Sequence, residues 1–249
     1  MERQRSISFF FILTVMTLMS ESLFSLSVNP SVVELNLVPG RSTNGFYTVQ
    51  NNTSDKVVIN VEPESYFGSP VTNWLKIMPK NITLEPGQSR DIGYKVSVPR
   101  DFKDEYIAKI YFSQTPAGSG PNPGGASIIT RMGSSFYVSA SGKEILRTEI
   151  SNFTISDKIS VDIRNNGNVH LRFYYDLEVF DEKGRELTTT DRVPFAVVIP
   201  GESKNISIPL KTEVKLVMGR YYAVLNLYYG NVMPLVNKIS SLTQFEVKK

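Results

Sequence analysis

The feature that most restricts this chain is a repeat. "VQNNTSDKVVINVE" at Val49–Glu62 sets beside "IRNNGNVHLRFYYDLEV" at Ile163–Val179. "PGQSRDI" at Pro86–Ile92 returns as "PGESKNI" at Pro200–Ile206, and "YIAKIYF" at Tyr106–Phe112 returns as "YYAVLNL" at Tyr221–Leu227. Pro86 follows Asn51 by 35 positions, and Pro200 follows Asn165 by the same 35. Three landmarks in one order and at one spacing mark a duplicated structural unit.

The unit reads as antiparallel β-structure. Short runs of β-branched and aromatic residues alternate with polar ones at period two. In Asp91–Pro99, for example, Ile92, Tyr94, Val96 and Val98 share one face. Asn-Asn tolerates the left-handed conformation of a turn joining two strands. Pro-Gly sets a type II turn, Pro fixing φ and Gly accepting a positive one. Strands this short and frequent describe an immunoglobulin-like sandwich. The fold class is therefore all-β, with two tandem immunoglobulin-like β-sandwich domains over residues 26–139 and 150–247, and 140–149 as linker. Pro30 interrupts the first strand and so belongs at an edge or at a switch between sheets. "TPAGSGPNPGGAS" at Thr115–Ser127 is a long Gly/Pro-rich loop before the final strand of domain 1. It reads either as a surface hairpin or as a flap beside an edge strand that accepts a partner.

The N-terminus carries Arg3 and Arg5, an apolar run at Ile7–Met19, and the small pair Ser20 and Ser22. That pattern is a signal peptide over residues 1–22, too short for the roughly 20 apolar residues of a membrane span. The expected mature chain is periplasmic or otherwise extracytoplasmic, with no membrane span. The sequence has no cysteine, so each sandwich depends on its own apolar core. A net charge of +3 with interspersed signs leaves no basic footprint for nucleic acid.

Catalytic constellations are not found. His170 is the single histidine and follows a turn on a strand, where packing or surface roles dominate. "GSGPNPGG" lacks the Lys-Ser/Thr and following helix of a phosphate loop. The adjacent acids Asp104 and Glu105, and those of "DEKG" at Asp181–Gly184, sit in turns where successive side chains diverge. The chain is not expected to be an enzyme, nor to hold a cofactor or metal. A non-catalytic sandwich pair binds proteins by edges, faces or loops, and an exposed edge does so by β-augmentation. In the final strand of domain 1, Ile128, Met132, Phe136 and Val138 share one parity, with Thr130 and Ser134 between them. Parity leaves open whether that row faces a partner or the core.

"NWLKIMPKNITLEPGQSRDIGYKVSVPRDFKDEYIAKIYFSQTP" at Asn73–Pro116 resembles the periplasmic pilus-assembly chaperones of the PapD-like superfamily. An apolar stretch runs through Pro into Leu-x-Pro-Gly-Gln and a strand; a Pro-x-Asp segment then leads to a Tyr/Phe-rich strand ending in Pro. The resemblance implies a chaperone that lends its domain-1 final strand to exported, pilin-like or other β-rich subunits. Partner contacts would then fall on Ile128, Thr130, Arg131, Met132, Ser134, Phe136 and Val138. The family clamps a subunit's terminal carboxylate with a basic pair. Those positions align near Val32 on the first strand and Ser134 on the last, neither of them basic, which marks a divergent member. Arg131 is a nearby cation of opposite parity. The alternative is a non-catalytic structural or adhesive protein of the envelope or cell surface.

Overall fold

The computed structural model describes residues 26–66, 69–117, 129–156, 158–209 and 216–247. The expected signal peptide, most of the Gly/Pro loop and Ile128 lie outside them. The chain divides into two units, Met1–Arg100 with Tyr106–Val138, and Asp101–Glu105 with Ser139–Lys249.

In the first unit, one sheet has the order β1-β3-β7-β5. Its strands are β1 (Leu26–Asn29), β3 (Ser42–Asn51), β7 (Ser89–Ser97) and β5 (Leu75–Met78), the last preceded by a single helical turn, α1 (Val71–Trp74). The other sheet has the order β2-β9-β8-β4-β6, from β2 (Val32–Leu37), β9 (Thr130–Ala140), β8 (Tyr106–Pro116), β4 (Val57–Ser65) and β6 (Asn81–Leu84). The two sheets face each other through aromatic contacts. The Tyr47 ring lies 5.2 Å from Phe112, and Tyr94 lies 5.2 Å from Phe136, both edge-on. Tyr47, Phe112 and Phe136 are fully buried. Pro30 does separate β1 from β2, and the two strands join different sheets.

The second unit repeats the plan with β10 (Thr148–Ile155), β11 (Lys158–Asn165) and β15 (Ser203–Pro209) in one sheet. The other sheet runs β13-β12-β16-β17, with β14 also pairing β12. These are β12 (Leu171–Asp181), β13 (Glu186–Thr189), β14 (Val193–Val198), β16 (Gly219–Gly230) and β17 (Asn237–Val247). Phe153, Ile159, Val161 and Ile163 meet Phe173, Leu177, Leu225 and Phe245 in the core. Thr148 and Glu149, expected in the linker, already belong to β10.

The repeat has one structural cause in both units. Asn51 and Asn165 are wholly buried. The Asn51 side-chain Nδ2 donates to the carbonyls of Asp55 (2.8 Å), Glu85 (3.1 Å) and Leu84 (3.3 Å). Asn165 Nδ2 donates to Val169 (2.8 Å) and Val198 (2.9 Å). Each Oδ1 accepts the backbone N–H two residues on, from Thr53 and Gly167. The backbones complete the match: Gly87 N–H donates to the Asn51 carbonyl and Gly201 N–H to that of Asn165. Asn51 N–H reaches the Gln88 carbonyl, and Asn165 N–H that of Glu202. The Pro-Gly turns close through Gln88 N–H to Glu85 O and Glu202 N–H to Ile199 O, with Gly87 at φ 73° and Gly201 at φ 77°. The left-handed conformation that Asn-Asn tolerates is not used there. Among the described residues Asn152 alone, apart from glycines, has a positive φ. The first Asn of each pair bridges two landmarks with its side chain rather than bending the backbone.

Candidate partner-binding strand

β9 is laid against β8 in unbroken register, from Gln114↔Thr130 to Tyr106↔Val138. Among the described residues its other side is flanked by β2 alone. β2 has six residues and β9 eleven, so β2 cannot flank all of it. The start of β2 sits at the middle of β9, where Ser135 N–H donates to the Ser31 carbonyl at 3.0 Å. Chain reversals give the direction: β1 is antiparallel to β3, β3 turns back into β4, and β4 and β9 are both antiparallel to β8. β2, continuing β1, therefore runs with β9 and lies beside its later residues. Among the described residues, the six of β2 are too few to flank the first residues of β9 as well.

Period two then assigns the open backbone groups. Ser135 N–H points away from β8, so the N–H and C=O of Gly133 and Arg131 point the same way, toward the uncovered edge. Side chains alternate across the sheet. Ser134, Phe136 and Val138 are buried and Met132 is half-buried on the inner face, while Arg131 and Gly133 are exposed on the outer one. Ser134, Phe136 and Val138 of the same-parity row thus belong to the core, where Phe136 meets the Tyr94 ring of the facing sheet. Ser134 does not present a clamp. It is 1% exposed, and its hydroxyl donates to the Pro30 carbonyl at 3.2 Å and to the Tyr47 hydroxyl at 3.4 Å. Val32 is half-exposed.

On the outer face Arg131 stacks 3.5 Å over the Tyr111 ring and donates to Glu64 at 3.3 Å. Gly133 leaves room for that ring, since a Cβ there would meet it at 3.1 Å. Ile129, just before β9, is 60% exposed. Gln114, opposite Thr130, is buried, and its Oε1 accepts no hydrogen bond among the described residues. The open end of β9 therefore offers backbone donors and acceptors, one aliphatic side chain and one cation.

In the second unit, Glu105 and His170 form a buried pair that sequence reasoning missed. Glu105 Oε2 accepts the His170 backbone N–H at 2.6 Å, and Oε1 meets Nδ1 at 2.8 Å. Arg172 approaches Nε2 at 2.9 Å. Arginine only donates, so Nε2 accepts and the ring proton sits on Nδ1, facing Glu105. Burial pulls the Arg172 guanidinium below its ordinary range. The arrangement anchors the segment Asp101–Glu105, and the adjacent acids Asp104 and Glu105 do diverge, with only Glu105 buried. Among the described residues no group of three or more His, Cys, Asp or Glu gathers as metal ligands.

No family model and no curated protein matches the sequence. Solved structures do. The YadV chaperone aligns with a TM-score of 0.52 at 12% identity, covering 89% of this chain and all of that one. The class 5 fimbriae chaperone CfaA aligns at 0.50 and 15% identity, covering 90% of this chain and 100% of its own. A chaperone–tip adhesin complex of CFA/I fimbriae biogenesis gives 0.50 and 15%, over 88% of this chain and 98% of that one. The chain shares the fold of these fimbrial chaperones, two β-sandwiches in tandem, at 12–15% sequence identity.

Proposed function

We propose that the chain is an extracytoplasmic chaperone, exported by cleavage of residues 1–22, that holds secreted β-rich subunits through the open end of β9. What supports this reading is the backbone of Arg131 and Gly133, turned away from β8 and beyond the length of β2 among the described residues, in a fold shared with fimbrial chaperones. A client strand pairs there by main-chain hydrogen bonds, and its side chains meet Ile129, Thr130, Arg131 and Met132. Ser134, Phe136 and Val138 act from the core side, fixing the strand that is offered. The client is pilin-like or another β-rich exported protein. It is not nucleic acid, and no described helix is long and apolar enough to cross a membrane.

The test exploits edge geometry. Proline at an edge position removes an outward N–H without breaking a bond to the inner neighbour. Arg131→Pro should abolish co-purification of secreted subunits from the native envelope, whereas Arg131→Ala should keep most of it. Equal retention by both folded variants would refute strand pairing at β9. A second reading, a permanent structural or adhesive module, is favoured by the non-basic Val32 and the internally bonded Ser134. It predicts complexes with envelope proteins that do not dissociate as subunits assemble.

A further inference from the structure

We infer that the outer face of the β1-β3-β7-β5 sheet binds an extended segment of another protein, one with an aromatic residue two positions from an acidic one. The strand-pairing reading of β9 makes no use of this face. Tyr47, Ile92 and Ile77 are buried, so the residues that alternate with them point outward. The register sets Phe46 opposite Gly93 and Gly93 opposite Met78, one row across three strands. Phe46 is 59% exposed and Met78 71% exposed. Apart from Gly93, every other outward residue of β3, β7 and β5 is polar. Two strand spacings put the Phe46 and Met78 backbones roughly 10 Å apart. A Cβ at Gly93 would come no closer than 3.5 Å to the Met78 carbonyl, and neither flanking side chain lies within 4 Å of it. The row is thus a notch with a backbone floor and two apolar walls, wide enough for one flat side chain.

The next row, two residues along β7, sets Lys95 opposite Lys76, with Asn44 on its other side. Both lysines are exposed, and like charges directly opposite on a sheet repel. Among the described residues neither ammonium meets a carboxylate. On the far side of the notch Asp91 already accepts the Thr48 hydroxyl at 2.7 Å. An anion is therefore wanted on one side of the notch only. The spacing then selects the occupant. In an extended chain, side chains two residues apart point the same way about 6.8 Å apart, which is also the separation of Gly93 from Lys95 along β7. A segment packed over β7 sets its ring between Phe46 and Met78, against an aromatic face and a thioether. Its carboxylate then falls between Lys76 and Lys95. The stretches of this chain outside the described residues carry no aromatic residue two positions from an acid, so they do not supply the segment.

Magnetic resonance of the exported full-length chain, labelled at its methionine methyls, tests this. The probes are the blocked peptide Thr-Phe-Ser-Glu-Thr and its reverse, which cover both strand directions. At least one should move the Met78 methyl upfield, because the ring of the peptide lies against it. Gly93→Val fills the notch and should lose that shift with circular dichroism unchanged. Lys76→Glu combined with Lys95→Glu should lose it too, and should recover it with a peptide carrying Lys in place of Glu. A wild type that answers neither peptide overturns the inference. So does a shift indifferent to Gly93→Val, or a charge-reversed chain that does not prefer the Lys peptide. Phenylpropionate shifting the methyl as far as the peptide at equal concentration would assign the notch to a small aromatic anion, and would overturn it as well.

Discussion

The two sandwiches are built on one internal frame and finish differently. Each joins a buried Asn to a Pro-Gly turn with the same bonds, yet their last strands differ in what lies beside them. In the first, the opening strand breaks at Pro30 and its second piece crosses to lie along half of β9. In the second, the opening strand stays whole with β11, and β17 is the outermost strand of its sheet. The interiors of the two units are thus alike while their edges differ.

The largest test of that contrast compares side chains on the two final strands. Phe136→Ala empties a site at full burial and should cost about 3–5 kcal/mol. Leu242→Ala should cost no more than about 0.5 kcal/mol. Urea unfolding separates them, since the single tryptophan, Trp74, lies in the first unit and circular dichroism sees both. Comparable losses would mean the two strands are equally embedded.

Next come the locks. Asn51→Ala and Asn165→Ala each strip buried carbonyls of their donor and should cost about 2–3 kcal/mol in urea unfolding. Asn51, which serves three carbonyls against two, should be the more sensitive. Equality between them would show that the third contact contributes nothing. Smaller again, Gly87→Ala and Gly201→Ala should each lose about 1–2 kcal/mol of stability in the same assay. Both positions are open to a Cβ, so the loss comes from left-handed backbone alone and should be alike in the two turns.

The smallest effects are of pH. Burial raises the Tyr47 phenol well above its ordinary range, although the Ser134 hydroxyl bonded to it works the other way. The folded first unit therefore favours the protonated phenol. That contribution is complete below the ordinary tyrosine range and is lost as pH rises through and beyond it. Asp162 and Asp181, in the second unit, are held below the ordinary carboxylate range. Asn152 and Asn205 donate to the first, and Arg185 backbone N–H to the second. Their contribution is present above that range and fades as pH falls through the lowered values. The urea midpoint read by Trp74 should fall in alkali for the wild type and fall less for Tyr47→Phe. Identical alkaline slopes would remove Tyr47 as the cause.

Much of the fold was legible because periodicity and turn chemistry are local. Alternation in Asp91–Pro99, the Pro-Gly turns and the switch at Pro30 needed no knowledge of distant partners. The locks were half-legible: the equal 35-residue spacing marked their two ends, but nothing local says that an Asn side chain will turn inward to join them. The site was read least well. The row Met132, Phe136, Val138 was visible, and only burial and the facing Tyr94 ring identify Phe136 and Val138 as core. β2 beside β9, and Glu105 beneath His170, join residues that lie far apart in sequence, and no periodicity reports such meetings.

The Asn lock has a kinetic consequence. It pins the base of a 35-residue excursion, the place where a small exported domain would often carry a disulfide. A thiol bridge forms only as fast as an oxidant and a reshuffling catalyst allow. A clasp made of amide and carbonyl groups closes as soon as the strands meet, and reopens without chemistry. Both halves of this cysteine-free chain can therefore mature at the same pace in an oxidising or a reducing surrounding.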